Sequence, residues 1–85
     1  MSYSVTWVRK ALDQLAAIWL NPADRTAVTE AAHWLEQELR RRPLTLGESR
    51  TVSVVRIAHR DPLGIEFEVI EDDKKVRVLR VWSLV

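Results

Sequence analysis

Four residues, Asn21-Pro22-Ala23-Asp24, constrain the fold of this chain more than any others. Asn21 can cap a helix that follows it, because its side-chain oxygen accepts from an N–H of the first turn. Pro22 suits the first helical position, where an N–H would lack a partner in any case. Asp24 sets negative charge beside the positive end of the helix dipole. On both sides of this boundary the apolar residues keep helical time. Before it, Val8, Leu12, Leu15 and Trp19 recur at steps of three and four, and Ala11, Ala16 and Ile18 widen the stripe. That pattern predicts an amphipathic helix from about Arg9 to Leu20. After it, Val28, Ala31 or Ala32, Leu35 and Leu39 predict a second helix running to about Arg41. Glu36–Arg40 and Glu38–Arg42 stand four apart in the favourable order, the arginines suit a helix C-terminus, and Pro43 ends the helix. A link this short leaves the two helices only one arrangement, antiparallel and side by side.

The rest of the chain reads as strands. Tyr3, Val5 and Trp7 alternate with Ser4 and Thr6, the period of a half-buried strand. Leu44 to Ser49 reads as a loop. Arg50 to Arg60 is rich in Val and Ile, Asp61-Pro62-Leu63-Gly64 is a turn, and Ile65, Phe67 and Val69 alternate with Glu66 and Glu68. A second turn at Glu71 to Lys75 precedes a last strand from Val76 to Trp82. Three strands joined by tight turns form an antiparallel meander. The first strand needs a partner for its backbone, and the place beside the last strand is expected. The predicted fold class is α+β, order β-α-α-β-β-β: an antiparallel four-stranded sheet with a two-helix hairpin on one face, in a single domain over residues 1–85.

Composition excludes several functions. With no cysteine, disulfides and thiolate metal sites are ruled out, and a reducing compartment fits. The N-terminal residues lack the basic start and apolar run of a signal peptide, and no apolar run approaches the ~20 residues of a membrane span, so a cytoplasmic address is expected. His33 and His59 lie far apart and give no metal-ligand spacing, and no cofactor is expected. The formal net charge is only +1, but residues 40–60 carry six arginines against Glu48. A basic segment inside a near-neutral chain can guide an anionic partner.

The arginines are therefore the candidates for chemistry. Arg50, Arg56 and Arg60 have one parity along a strand, so a regular strand puts them on one face, and Arg80 shares its face with Val76, Val78 and Trp82. Grouped on the sheet face away from the helices, such guanidiniums could grip phosphates. The plain alternative is that they pair with Glu66 and Glu68 across the strands. His59 is the only histidine on a strand and a candidate general acid or base, with a surface histidine as the alternative. Trp7 and Trp19 fall on predicted core stripes, Trp34 lies one step off its stripe, and Trp82 is placed to cover the sheet edge or to meet a partner. Packing is the default role for each, ahead of base stacking.

Tyr3-Ser4-Val5-Thr6-Trp7, the hairpin ending at Leu39 and the basic run before Pro43, Leu46-Gly47-Glu48, Val55-Arg56-Ile57, Ile65 to Ile70, the acidic turn Asp72-Asp73 and Val76-Arg77-Val78-Leu79-Arg80-Val81 together resemble the RelE/ParE superfamily of toxins. The resemblance covers nearly the whole chain. It implies the toxin of a type II toxin–antitoxin system, of the kind linked to plasmid stabilization, held inactive by a cognate antitoxin. RelE-like members cut mRNA in the ribosome, and ParE-like members poison DNA gyrase. On the RelE analogy, Arg56, Arg80 and His59 are the catalytic residues of an endoribonuclease, and Arg50, Arg60 and Arg77 bind nucleic acid. Two features support an alternative, a non-catalytic binding module on the same scaffold. Ile65-Glu66 stands where the family often has an aromatic–arginine pair, and Trp82-Ser83-Leu84-Val85 stands where it often has a histidine or arginine and then a tyrosine.

Overall fold

A computed structural model describes residues 2–20, 25–44, 48–49 and 55–84, the side chains of 48–49 excepted. The Asn21–Asp24 boundary, most of the Leu46-Gly47-Glu48 loop and the first part, residues 50–54 with Arg50, of the strand expected from Arg50 to Arg60 lie outside the described residues. The elements are β1 (Ser4–Trp7), α1 (Arg9–Leu20), α2 (Arg25–Arg41), β2 (Glu48–Ser49), β3 (Val55–Arg60), β4 (Leu63–Ile70) and β5 (Lys75–Ser83). They form one sheet in the order β1-β5-β4-β3-β2. The expected meander is present as β3-β4-β5, and β1 lies beside β5 as anticipated. Two details of the sheet differ from expectation. β1 runs parallel to β5, so the sheet is mixed, and the loop before β3 contributes the two-residue strand β2. The parallel pairing follows from the helical hairpin, which returns the chain to the end of the sheet from which β1 started and supplies the long crossover a parallel pair needs.

One sheet face carries the core. Leu63, Ile65, Phe67 and Val69 of β4 and Val76, Val78 and Val81 of β5 pack against Ala11 of α1 and Val28, Ala31, Leu35 and Leu39 of α2, all buried. Each Val, Leu, Ile or Phe side chain among these contributes about 1.5–3 kcal/mol by leaving water. Backbone and side-chain hydrogen bonds fix how the helices sit. The Tyr3 N–H donates to the Arg40 carbonyl at 2.8 Å and the Val8 N–H to the Val78 carbonyl at 3.0 Å. Glu38 is buried at the end of α2, where Arg42 holds it at 2.6 Å and Arg41 at 3.7 Å.

Within β5 the pairing steps from Phe67–Val78 to Glu66–Arg80, leaving Leu79 as an extra residue, a β-bulge. The bulge reverses side-chain parity partway along the strand. Val76 and Val78 face the helices before it and Val81 after it, so Arg77 and Arg80 both face away. Arg80 thus shares a face with Trp82, as expected, but not with Val76 and Val78. The Val81 N–H beyond the bulge donates to the Gln14 side chain of α1 at 2.8 Å.

Candidate functional site: the open sheet face and the helical groove

The register decides which candidates can act together. Arg56 pairs with Phe67 and Arg60 with Leu63, both core residues. Directly opposed residues share a face, so Arg56 and Arg60 lie on the helix side of the sheet. Arg60 stacks on the Trp34 indole of α2, with 4.6 Å from guanidinium carbon to ring centre. Parity placed Arg56 and Arg60 together correctly but assigned them to the wrong side. The solvent side of β3 is shown by Val55, Ile57 and His59, opposite Glu68, Glu66 and Gly64.

The open face therefore holds Arg77, Arg80 and His59 without Arg56 and Arg60. Among the described residues its two guanidiniums are engaged across the strands: Arg80 donates to Glu66 at 3.0 Å and Arg77 to Glu68 at 2.9 Å. These are cross-strand ion pairs of the kind the plain reading anticipated. At one end of this face, His59, Gly64 and Trp82 lie in a row across three strands. His59 meets the Trp82 ring edge-on at 6.4 Å, and the Arg80 guanidinium lies 5.3 Å from the centre of that ring. Trp82 lies over Gly64 so closely that a Cβ there would come within 2.5 Å of Cε2 and 2.8 Å of Cζ2. Of the three catalytic candidates, the fold brings Arg80 and His59 to one corner and leaves Arg56 on the far side of the sheet.

At the opposite end, the turn after β4 makes a second polar cluster that the sequence did not single out. The Tyr3 hydroxyl donates to Glu71 at 2.8 Å, and Lys74 pairs with the same carboxylate while its ammonium lies 5.3 Å from the Tyr3 ring centre. The hydrogen bond from Lys74, then that from Tyr3, holds the Glu71 carboxyl below its ordinary range. The hydrogen bond to Glu71 raises both the Lys74 ammonium and the Tyr3 phenol above theirs. Lys74 makes this turn in the left-handed region, at φ 51°. Among the described residues, no group of three histidine, aspartate or glutamate side chains could hold a metal ion.

The helical hairpin exposes a third surface. A groove of about 350 Å³ runs between α1 and α2, lined by Leu12, Leu15, Ala16, Trp19, Val28 and Ala32 with Thr29 at its edge. It continues past Leu12, Leu15 and Ala32 to Trp7, His33 and Glu36, where the Trp7 indole N–H donates to Glu36 at 2.8 Å. Leu12 and Trp19 are 45% and 42% exposed, and Leu20 is 64% exposed. Trp19 was expected in the core and is instead on the groove wall, its indole N–H bonded to Thr29 at 3.1 Å and its ring under Arg25. A stripe of helical period shows which residues share a face. It does not show that another element of the same chain covers them.

No family model matches the sequence, and no curated protein matches it. Solved structures do. A chain of the RelBE2 toxin–antitoxin complex from Mycobacterium tuberculosis is 25% identical, with 98% of this chain and 92% of that chain covered and a TM-score of 0.75. A chain of a chromosomal ParDE toxin–antitoxin system from P. aeruginosa is 22% identical, with 98% and 97% covered and a TM-score of 0.70. A conserved hypothetical protein from Helicobacter pylori, solved in solution, is 15% identical, with 95% and 93% covered and a TM-score of 0.62. The near-complete coverage on both sides matches the element order and the helical hairpin on the sheet. In fold the chain is RelE/ParE-like, similar over nearly its whole length to a chain of each of these two toxin–antitoxin systems.

Proposed function

We propose that this chain is the toxin of a toxin–antitoxin pair, that it works by binding its target, as gyrase-directed members do, and that its antitoxin seats an apolar segment in the α1–α2 groove. The observation that carries the binding reading is the state of the open face. Arg77 and Arg80 are each held by a carboxylate, and Arg56 and Arg60 lie through the sheet. Cutting RNA calls for fixed positive charge aimed at a phosphate. Here Glu66 and Glu68 oppose an incoming phosphate at the same places. Two observations support an antitoxin partner: the matched structures from M. tuberculosis and P. aeruginosa are of toxin–antitoxin systems, and the groove leaves large apolar side chains in water. A target in translation or DNA supercoiling would put this work in the cytoplasm.

Ribosome-dependent mRNA cleavage is the second reading. It is favoured by one corner, where His59 and Arg80 converge on Trp82 as a proton-transfer group, a cation and a stacking surface.

Induced expression in the natural host tests the toxin reading. Growth should arrest and should recover when the reading frame next to the toxin's own is co-expressed. A Leu12→Asp/Trp19→Asp variant should arrest growth equally and resist that rescue. Undisturbed growth would defeat the toxin reading, and full rescue of the variant would defeat the groove assignment.

A further inference from the structure

The basic stretch of the sequence gathers on a surface that neither the groove nor the open face includes. α2 has two flanks. Ala32, Glu36 and Arg40 lie on the groove side, and Glu36 pairs with Arg40 at 3.3 Å. Trp34, Glu38 and Arg41 lie on the opposite side, as the 3.6-residue turn requires. There Arg60 of β3 stacks on Trp34, and Arg41 and Arg42 bracket Glu38. β3 runs antiparallel to β4, which puts Arg56 on the same side of the sheet as Arg60 and about 13 Å further along at ~3.3 Å per residue. Arg41, Arg42, Arg56 and Arg60 thus lie on this flank, with the buried Glu38 among them.

We propose that this α2–β3 flank docks an acidic segment of a partner protein, with an apolar side chain of that segment meeting Leu44 at the flank's end. Three features argue for it. The guanidiniums are positioned in advance, Arg60 by an aromatic face and Arg41 and Arg42 by a carboxylate that is itself buried, so little freedom is lost on binding. Leu44, two residues past Arg42 and after the buried Pro43, is 47% exposed and offers an apolar contact at the end of the basic run. The charge is local. A nucleic acid gains affinity from many phosphates along its length, whereas these cations are confined to one flank. A short acidic peptide meets only the flank. The proposal does not rest on the function proposed above, since it concerns a different side of α2 and its test uses no toxicity.

Fluorescence anisotropy on the full chain provides that test. The probe is a labelled peptide of about a dozen residues, glutamate-rich with one leucine, and the comparison is a single-stranded RNA oligonucleotide of similar length at the same salt. The peptide should bind more tightly than the RNA. Arg41→Ala should weaken peptide binding about threefold and Arg56→Ala/Arg60→Ala about tenfold, at the upper end for solvent-exposed ion pairs. Arg9→Ala, on α1 across the groove from this flank, should leave binding unchanged. Should the double variant lose its circular dichroism spectrum, Arg41→Ala, at an exposed helix end, decides the matter. No peptide binding, equal binding by Arg41→Ala, or tighter binding of the RNA overturns the proposal.

Discussion

Gly64→Ala should destabilise the protein through a single contact, the indole of Trp82. The glycine is buried beneath that ring, and a methyl group there would press on Nε1, on Cε2 at 2.5 Å and on Cζ2 at 2.8 Å. Overpacking of this kind costs about 1–3 kcal/mol. Replacing a strand glycine by alanine returns about 0.5–1 kcal/mol of backbone entropy. The net loss is about 0.5–2 kcal/mol, or a fall in Tm of about 2–16 °C for a domain of this size. Urea unfolding followed by far-ultraviolet circular dichroism measures it without relying on tryptophan emission. The decisive comparison is made in a Trp82→Ala background. With the ring gone, Gly64→Ala should become neutral or stabilising, giving a coupling of about 1–3 kcal/mol between the two positions. Equal destabilisation by Gly64→Ala in both backgrounds would refute the steric argument and with it the placement of Trp82 over the glycine.

Leu39→Ala, in the fully buried end of α2, should cost about 2–5 kcal/mol by the same unfolding measurement, whereas Leu12→Ala on the groove wall should cost less than half of that. Glu66→Ala should free the Arg80 guanidinium and raise affinity for single-stranded RNA, read as a steeper salt dependence of binding in anisotropy titrations. The Tyr3–Glu71–Lys74 cluster should stabilise the fold only between two pH limits. The Glu71 carboxyl is lowered in the folded state, so its contribution is complete above the ordinary carboxylate range and fades as pH falls through the lowered value. Lys74 and Tyr3 are raised, so theirs are complete below their ordinary ranges and fade as pH rises through the raised values. The Tm difference between wild type and Glu71→Gln should therefore be largest near neutral pH and shrink toward both extremes. A difference independent of pH would count against the cluster.

The element order and most boundaries were legible in the sequence because they depend on local patterns. α1 occupies Arg9–Leu20 as its stripe predicted, and α2 ends at Arg41 where the arginines and Pro43 indicated. The faces of the arginines were not legible, because they depend on register and on one inserted residue. Counting by twos along β5 sets Arg80 with Val78. The bulge at Leu79 separates them, and nothing in Val76 to Val81 marks its position. Parity also showed Arg56 and Arg60 together without showing which side was inward. The pairings with Phe67 and Leu63 settle that, and small Ala58 between the two arginines was the available clue. The parallel sense of β1 follows from the hairpin crossover, which an antiparallel meander elsewhere in the chain obscured. The groove was hidden for a different reason. Leu12 and Trp19 sit on an apolar stripe like any core residue, and only the coordinates show that nothing from the described chain covers them.

Mapping mRNA ends at single-nucleotide resolution in cells arrested by this protein tests the account most directly. With Arg77 and Arg80 neutralised by Glu68 and Glu66 and with Arg56 beyond the sheet, arrest should occur with transcripts intact. New ends in register with stalled ribosomes that disappear in Arg80→Ala would contradict it.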